Sequence, residues 1–552
     1  MVKSSLSLSH RLWKYKLHYV IVIPALILIL AFKIIPFVLN VHMAFTDFIP
    51  ARGLWDSSWV GMDNFRLLFE NVDFRRVLAN TLIIKLSYVV FTGLVALGLS
   101  LALSSIRSEK LRNSFSTLFL IPFFIPSLVF AFVVMNILSP SLAPIFPVRS
   151  LFLGDTELFR PVIVIVETIK TCGIPILVAL AAIGVKQAEQ SYLLRNVLPA
   201  IRAIAAFMIL QLSTILSMDF ELLHQLNNPL VYLVGDTLNT YQFRIGLMQA
   251  DYSASAAISL LQFCVQVVFT LLAYVIVRSF FLRDLFSAAR DNSPLKTEKR
   301  NTSNTGLPAL ILYSLIVLLP LYMLFVYPFL SKSSTPFALG DLFSAGNFII
   351  YFIVYFVTVC ISLLLTLTLA YPLTVRDLPG RNLYKAFLLL VAVMGGGNIA
   401  EYLLVKELGM MDTVYSQMVF GFFPIVGVFV IKSIFNSRCG VLKEKAALDG
   451  RSELWMFFNL FIPKVWKPLV ALGILQFASL WGSFYSSLIF MNSPEHFSPA
   501  ARLLSVFYVD KESGVGELSL YAGIVSLPPI VLFLVFRRFL TSEVLLSQIR
   551  KL

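Results

Sequence analysis

Long apolar runs separated by short polar segments make up most of this chain. Twelve of these runs approach the roughly 20 residues that a helix needs to cross the hydrocarbon layer of a membrane. The pattern predicts an all-α polytopic membrane protein with about twelve transmembrane helices, because a membrane β-barrel would show short alternating segments instead. The predicted spans lie near residues 17–45, 77–105, 115–138, 161–185, 198–218, 254–281, 307–330, 347–373, 384–405, 413–434, 465–490 and 518–537.

One polar stretch interrupts the pattern in the middle of the chain. Its sequence, SAARDNSPLKTEKRNTSNTG, is rich in charge, serine and asparagine, which is the composition of a flexible linker. Six predicted spans precede it and six follow. We therefore expect a first half at residues 1–282, a linker at 283–306 and a second half at 307–552, with the halves arranged as parallel repeats.

Composition and charge support the membrane class. The chain is 58% hydrophobic and only 13% charged, whereas soluble domains are about a quarter charged. The net charge of +14 comes largely from lysine and arginine in alternate loops, which is the distribution of cytoplasmic loops that meet anionic lipid head groups rather than of a nucleic-acid-binding protein. The alternation predicts that both termini, the linker and the loop at residues 444–468 are cytoplasmic.

The sequence contains none of the motifs that we sought for metal binding, ATP binding or catalysis. The four cysteines form no CxxC pair and are not spaced with histidines as metal ligands are. The sequence also lacks GxxxxGK[ST], HExxH and GxSxG. We expect no catalytic residue, no metal site and no cofactor bound by this chain itself.

The most informative polar segment is the loop at residues 444–468, EKAALDGRSELWMFFNLFIPKVWKP. Residues 443–448 favour a helix, and Asp449-Gly450 predicts a break, because glycine accepts the left-handed conformation that ends a helix. A second short helix is expected at about residues 451–460, before Pro463 marks re-entry into the membrane. These features alone fit either a surface that docks a partner or an ordinary cytoplasmic loop.

The pattern E-x-A-A-x-D-G followed by F-x-x-x-I-P resembles the EAA loop of permease subunits of binding-protein-dependent ABC importers, in the carbohydrate group that includes the maltose permeases. Lys445 and Arg451 stand where that family usually has alanine. The resemblance implies that this loop docks into a cleft of a partner ATPase. The residues that would form the coupling loop are Glu444, Ala446, Ala447, Asp449, Gly450, Ile462 and Pro463.

The likeness extends over most of the chain. WVGMDNFRLLF and FLIPFFIPSLV in the first half are similar to segments of the companion permease of the same importers. The stretch from Phe220, and MGGGNIAEYLLVKELGMMDT in the second half, are similar to the oligosaccharide and polysaccharide subgroup. The resemblance implies a fused double permease in the cell membrane of a prokaryote. It also implies two cytoplasmic ABC ATPase subunits, which hold the ATP and Mg²⁺, and an extracytoplasmic solute-binding protein that meets the outer loop at residues 219–253.

The corresponding loop of the first half, AAIGVKQAEQSYLLRNVLP, is shorter. Ten positions separate Glu189 from Pro199, against nineteen between Glu444 and Pro463, and no Asp-Gly pair lies between them. We interpret it as a degenerate coupling loop and expect the second half to carry the main ATPase contact. The residues of this degenerate loop are Glu189, Leu198 and Pro199.

Charged residues inside predicted spans usually face a partner or a cavity, because they are costly in lipid. Glu167 and Lys170 lie three residues apart on one helical face and are expected to pair, and Lys33 is expected to extend towards the membrane surface. The alternative for each is that it belongs to a polar lining for a sugar. A sugar requires planar hydrogen-bonding groups and aromatic faces. The candidate pathway residues chosen on that basis are Gly396, Asn398, Glu401, Tyr402, Trp481 and Tyr485.

Two other functions remain open from the sequence. The chain could be an ATP-independent carrier or channel, or a regulatory membrane protein whose first half has lost transport. A neighbouring coding region for a binding protein would favour the importer, and transport in ATP-depleted vesicles would favour the carrier.

Overall fold

The computed structural model describes the chain except residues 1–12, 14, 54, 139–151, 186–190, 278, 280–303, 331–342, 376, 396–398, 510–514, 541–543 and 545–552. Apolar, Leu- and Phe-rich segments form helices here because a helix satisfies its own backbone hydrogen bonds, which lipid cannot do. The predicted all-α class is confirmed. In the described part, strand pairing is confined to a short antiparallel hairpin of β1 (Thr46–Asp47) and β2 (Ser58–Trp59).

The helices before the predicted linker follow the apolar runs. The first run is a single stretch, in which α1 continues through a π-helical turn at Leu30–Ile34 into α2. The helices are α1 (Lys16–Ile29), α2 (Ile35–Ala44), α3 (Asp63–Glu70), α4 (Val72–Ser105), α5 (Glu109–Leu120), α6 (Ser127–Leu138), α7 (Phe159–Thr171), α8 (Gly173–Val185), α9 (Leu198–Leu212), α10 (Phe220–Leu226), α11 (Tyr232–Gly235), α12 (Leu238–Phe243) and α13 (Tyr252–Ile276).

The helices after the predicted linker repeat the pattern of long helices joined by short ones. They are α14 (Leu307–Phe325), α15 (Tyr327–Leu330), α16 (Ala345–Ala370), α17 (Arg381–Val393), α18 (Ile399–Glu407), α19 (Val414–Val419), α20 (Ile425–Leu448), α21 (Glu453–Trp455), α22 (Ile462–Gly482), α23 (Tyr485–Phe490), α24 (Pro499–Val509) and α25 (Val515–Phe536).

Eight helices among the described residues are long and apolar enough to cross a membrane, and the number rises to eleven if each of three bent helix pairs is one span. The α5–α6 pair bends by 99°, the α7–α8 pair by 53° and the α19–α20 pair by 42°. Proline accounts for two of these bends, since it removes a backbone donor and clashes with the preceding turn. Pro122 and Pro126 lie at the first bend, and Pro424 lies at the third.

Two predicted spans have the wrong extent. The span expected at residues 384–405 is divided into α17 and α18, which accounts for the shortfall from twelve. The span expected at residues 465–490 starts earlier, because α21 runs through a π-helical segment (Met456–Phe461) into α22 as one stretch, Glu453–Gly482. The separate second helix predicted in the coupling loop is therefore the first part of a span, and α23 follows as an independent short helix.

Helices from before and after the linker share one hydrophobic core. Phe124 stacks on Phe533 with ring centroids 4.4 Å apart, and Phe119 meets Tyr313 edge-on at 4.8 Å. The N-terminal α1 also packs against the later part, where the Tyr19 hydroxyl donates to the carbonyl of Pro379 at 2.9 Å. These contacts make the two parts a single packed body.

Candidate functional site: a polar cavity and a coupling loop

A cavity of about 280 Å³ lies among helices from both parts of the chain. It is enclosed by α2, the turn after α9, α12, α13 and the end of α17. We name it the polar cavity, because most of the side chains that line it carry a hydroxyl or an amide. These polar residues are Asn40, Ser213, Thr214, Ser217, Asn239, Gln242, Ser259, Gln262, Gln266 and Thr270.

Several of these side chains are fixed by hydrogen bonds to the protein. Gln242 donates to the Ser259 hydroxyl at 3.0 Å, and Gln262 donates to the carbonyl of Leu216 at 3.1 Å. The amide nitrogen of Asn40 donates to the carbonyl of Ala256 at 3.4 Å, whereas its Oδ1 is buried and accepts no hydrogen bond in the described structure. The polar cavity therefore holds oriented amides and one unused acceptor.

A second cavity, of about 220 Å³, adjoins the polar cavity and shares Asn239 and Gln242 with it. Its other lining residues are largely apolar or aromatic, and we name it the aromatic cavity. The rings of Phe220 and Tyr485 meet edge-on there, with centroids 5.0 Å apart. The two cavities thus combine planar hydrogen-bonding groups with aromatic surface.

Glu221 links the two parts of the chain at the edge of the aromatic cavity. Its Oε1 accepts from the Ser483 hydroxyl at 2.6 Å, from the Phe484 N–H at 3.0 Å and from the Tyr485 N–H at 3.4 Å. A carboxylate that accepts several donors is held firmly, because bonds to charged groups are the stronger ones. Glu221 therefore ties α10 to the start of α23.

A third cavity, of about 260 Å³, shares Phe220 and Glu221 with the aromatic cavity and contains an ion pair. Lys170 Nζ lies 2.7 Å from Asp219 Oδ2, which also accepts from the Ser127 hydroxyl at 2.8 Å. The predicted pairing of Lys170 with Glu167 is wrong: within the described structure, Glu167 Oε2 is buried without a hydrogen bond. Asp219 is the better partner because α10 brings it to the end of the Lys170 side chain.

Glu401, a predicted pathway residue, lies in an ion pair with Lys33 at 3.3 Å, and both side chains are largely buried. The prediction that Lys33 extends to the membrane surface is therefore wrong, because a nearby carboxylate compensates its charge within the protein. Tyr402 is half-buried beside this pair. Gly396 and Asn398 lie outside the described residues.

The two aromatic candidates have different environments. Tyr485 lines the aromatic cavity. Trp481 is fully buried, and its indole N–H donates to the carbonyl of Val525 at 2.7 Å. Its ring packs on Phe477 with centroids 5.6 Å apart. Trp481 is thus a core residue in this structure rather than part of a cavity wall.

The predicted break in the coupling loop is confirmed. Gly450 has a φ of +72°, and α20 ends there with the Arg451 N–H donating to the carbonyl of Ala446 at 3.1 Å. This six-to-one bond is the closing bond of a Schellman motif. Leu448 is 87% exposed beside Asp449 and Gly450, which are also exposed, so the elbow presents an apolar side chain to solvent.

The remaining coupling-loop residues belong to the two helices that flank the elbow. Glu444 and Ala447 lie on the last turns of α20 with Ala446, which is half-buried. Ile462 and Pro463 open α22, where Ile462 is half-buried and Pro463 exposed. Their role in docking stays a prediction.

A cluster behind the elbow joins it to α1 and α16. Glu453 Oε2 lies 3.2 Å from His18 Nε2 and accepts from the Tyr371 hydroxyl at 2.7 Å. The buried His18 ring stacks on Tyr371 with centroids 5.2 Å apart. Lys443 donates to the Thr374 hydroxyl at 2.7 Å, and burial lowers the pKa of its ammonium to about 8. We name His18, Tyr371, Lys443 and Glu453 the elbow cluster.

The degenerate loop of the first half lies partly outside the described residues, including Glu189. Leu198 and Pro199 open α9 after a π-helical turn at Leu193–Val197, and Pro199 is buried. Tyr192, just before that turn, is exposed. The asymmetry of the two loops therefore stays a prediction.

Sequence reasoning missed most of the cavity walls. Asn239 and Gln242 come from the outer loop at residues 219–253, to which only a contact with a binding protein was assigned. A signal did exist in α13, where Gln262, Gln266 and Thr270 recur at intervals of four residues. Such spacing puts them on one face of an otherwise apolar helix, and all three line the polar cavity.

Comparisons with known proteins find relatives that match about half of this chain. Protein LplB of Bacillus subtilis is 31% identical over 288 residues, which are 49% of this chain and 90% of LplB. The polygalacturonan/rhamnogalacturonan transport system permease protein YteP of the same organism is 28% identical over 293 residues, with the same coverage of both chains.

Other comparisons cover different shares of the chain. Protein LplC of Bacillus subtilis is 33% identical over 126 residues, which are 23% of this chain and 42% of LplC. A chain in the crystal structure of a bacterial alginate ABC transporter with its alginate-bound periplasmic protein is 28% identical, with a TM-score of 0.43, and the match covers 49% of this chain and 97% of that one. No protein-family model matches the chain.

Proposed function

This chain belongs to the permease subunits of carbohydrate ABC importers, and we propose that it is a fused double permease whose two halves together form one translocation pathway. As a permease it is a transport subunit rather than an enzyme, and it resides in a prokaryotic cell membrane. Two relatives each match about half of this chain, and each match covers about nine tenths of the relative. That ratio supports two halves, which we propose to lie at residues 1–282 and 307–552 with a linker at 283–306.

The single observation that carries the coupling proposal is the exposed elbow at Asp449-Gly450. A helix end that projects Leu448 into solvent offers an apolar anchor with a polar rim, which is the composition of a docking site. We assign it to a cytoplasmic ABC ATPase, present in two copies and holding the ATP and Mg²⁺. We further propose that both termini are cytoplasmic and that an extracytoplasmic solute-binding protein delivers the carbohydrate on the other side.

The elbow cluster offers a route from this loop to the first half. Glu453 follows the elbow in the second half, whereas His18 lies on α1 of the first half. A push on the elbow would therefore move α1 together with α22. This link compensates for a first-half loop that is predicted to be degenerate.

The function is tested by purifying the chain with its ATPase and binding protein and measuring ATP hydrolysis in lipid vesicles. We expect a transported carbohydrate, added with the binding protein, to stimulate hydrolysis about tenfold. ATP-driven uptake of the same carbohydrate should follow. A complex that no carbohydrate stimulates, or uptake that persists without ATP, would refute the proposal.

Replacing Glu453 by alanine should uncouple the two halves. Hydrogen bonds to charged groups contribute about 1.5–3 kcal/mol, and Glu453 is the common partner of His18 and Tyr371. We expect carbohydrate uptake to fall about tenfold, while the amount of copurifying ATPase stays within about twofold of the unaltered complex, because the elbow itself is intact. The measurement is uptake in vesicles together with quantified ATPase in the purified complex.

The matched control is Glu109→Ala, which removes an exposed glutamate from the start of α5. Surface substitutions of this kind change stability by about 0.5 kcal/mol or less. If Glu109→Ala lowers uptake as much as Glu453→Ala does, the elbow cluster has no special part in coupling.

A further inference from the structure

We propose that the polar cavity binds a neutral saccharide and discriminates against sugars that carry a carboxylate. The proposal rests on the proposed function, since it names the class of carbohydrate that the permease would pass. It depends on the walls of the polar cavity, which offer uncharged hydrogen-bonding groups. An acidic sugar requires a cation to compensate its carboxylate.

The walls match the groups of a neutral sugar. Pyranose hydroxyls both donate and accept hydrogen bonds, and so do amide and hydroxyl side chains. Among the described residues that line the polar cavity, the polar ones are all uncharged, and they come from α2, α12, α13 and the turn after α9. Amides are also planar and held in place, as the bond from Gln242 to Ser259 shows, so they can select the orientation of a sugar hydroxyl.

Asn40 supplies the observation that points to a ligand. The residue is 2% exposed and lines the polar cavity, yet its Oδ1 accepts no hydrogen bond in the described structure. A buried acceptor without a donor is unfavourable and is normally satisfied by some partner. When Asn40 turns its amide towards the polar cavity, a sugar hydroxyl can donate to this oxygen, whereas an ionised carboxylate has no proton to offer.

A carboxylate would also lack a counter-ion. A buried charge is stable only where it is paired, and no lysine, arginine or histidine is among the described lining residues of the polar cavity. Three basic residues on neighbouring elements are already engaged with carboxylates: Lys33 with Glu401, Lys170 with Asp219 and Arg244 with Asp236. The adjoining aromatic cavity contributes an acidic residue, Glu221, and no lysine, arginine or histidine among its described lining residues.

The dimensions suit a chain of more than one sugar ring. The polar cavity has a volume of about 280 Å³, just below the range of about 300–1,000 Å³ that is usual for ligand pockets. The aromatic cavity continues it past Asn239 and Gln242. Phe220 and Tyr485 there present ring surface to the apolar face of a pyranose. A saccharide could thus place one ring among the amides and the next against the aromatic side chains.

The test is binding to the full chain in lipid nanodiscs, measured by saturation-transfer NMR. The probes are neutral trisaccharides (maltotriose, xylotriose and mannotriose) and the acidic trigalacturonate at the same concentration. We expect at least one neutral probe to bind at least tenfold more tightly than trigalacturonate. This comparison uses the unaltered chain and does not depend on any substitution.

Asn40→Leu should weaken binding of the neutral probe at least fivefold, because the side chain keeps its size and loses its acceptor. Gln225→Leu is the matched control: Gln225 also has a buried carbonyl oxygen without a hydrogen bond, but it lies outside the lining of the polar cavity. Its binding should match that of the unaltered chain. Size-exclusion profiles and thermal unfolding establish that both variants are folded.

Trigalacturonate binding as tight as that of the best neutral probe would overturn the inference. So would a lack of binding by every neutral probe, or equal losses in Asn40→Leu and Gln225→Leu. If the full complex still imports a carbohydrate with ATP under those results, the proposed function stands and only the substrate class is wrong. If the complex imports no carbohydrate at all, the proposed function itself fails.

Discussion

Replacing Gly450 by valine is expected to reduce the ATPase that copurifies with this chain about tenfold. Gly450 has a φ of +72°, a conformation that costs a β-branched residue about 1–3 kcal/mol. A loss of about 1.4 kcal/mol in docking free energy is a factor of ten in affinity. Since a side chain added at Gly450 would meet no atom within 4 Å, the effect arises from the backbone of the elbow and not from a clash.

Gly380→Val is a closely matched control. Gly380 has a φ of +71° and equally open surroundings, and it precedes α17 in a loop that is also predicted to be cytoplasmic. It therefore imposes the same backbone strain outside the coupling loop. We expect Gly380→Val to retain the ATPase within about twofold, because exposed positions away from the interface contribute little to binding.

The predicted asymmetry of the two loops adds a third variant, Glu189→Ala. If the first-half loop is degenerate, this substitution should leave ATPase association nearly unchanged. Equal losses of associated ATPase from Glu189→Ala and Gly450→Val would contradict the predicted asymmetry of the two loops. A loss in Gly380→Val as large as that in Gly450→Val would show that general misfolding, rather than the elbow, accounts for the result. Quantified ATPase in the purified complex distinguishes these cases.

Replacing Lys170 by methionine should destabilise the chain by about 3 kcal/mol, because removing one partner of a buried ion pair leaves an uncompensated charge. The Lys170 side chain is 7% exposed and that of Asp219 is 23% exposed. Asp219 would keep its hydrogen bond from Ser127 but would lose the ion pair with Lys170 at 2.7 Å. The measurement is the free energy of unfolding of the purified chain in detergent micelles.

Two double variants identify the partner of Lys170. Lys170→Met with Asp219→Asn should recover most of the lost stability, because it removes both charges and retains acceptors for Ser127. Lys170→Met with Glu167→Gln should recover little, since the ion pair of Lys170 is with Asp219 and Glu167 Oε2 accepts no hydrogen bond within the described structure. Rescue by the second combination instead of the first would show that the sequence-based pairing was correct.

Arg66→Met provides the surface control for this series. The Arg66–Glu70 pair on α3 has side chains that are 75% and 60% exposed. Exposed ion pairs contribute about 0–1 kcal/mol, since water screens them. A cost for Arg66→Met as large as that for Lys170→Met would mean that burial does not set the strength of these pairs.

The elbow was predictable from sequence because its cause is local. Asp449-Gly450 follows a helix-forming segment, and glycine is the residue that most readily adopts the left-handed conformation found there. The existence of most spans was predictable for a similar reason, since each apolar run satisfies its own backbone as a helix. The extents of the spans were less predictable: the backbone leaves the helical path at residues 394–395, after α17, and at residues 483–484, before α23.

The partners in the ion pairs and the walls of the cavity could not be predicted from the sequence in this way. Sequence spacing suggested Glu167 for Lys170 because the two are three residues apart, whereas Asp219, the partner in the structure, lies 49 residues away. Lys33 and Glu401 are separated by 368 residues. The stripe of Gln262, Gln266 and Thr270 was visible in the sequence, but what faces it depends on the packing of α13 against α2, α12 and α17.

The sequence by itself determined that this is a helical membrane protein, where most of its apolar helices lie and where its coupling loop turns. These properties follow from hydropathy and from backbone preferences that act within a few residues. Only the tertiary structure decided which buried charges compensate each other, that Trp481 is a core residue, and that amides from α2, α12 and α13 enclose one cavity. The physical reason is that such contacts depend on which helix faces meet, and that is set by packing between residues far apart in the chain.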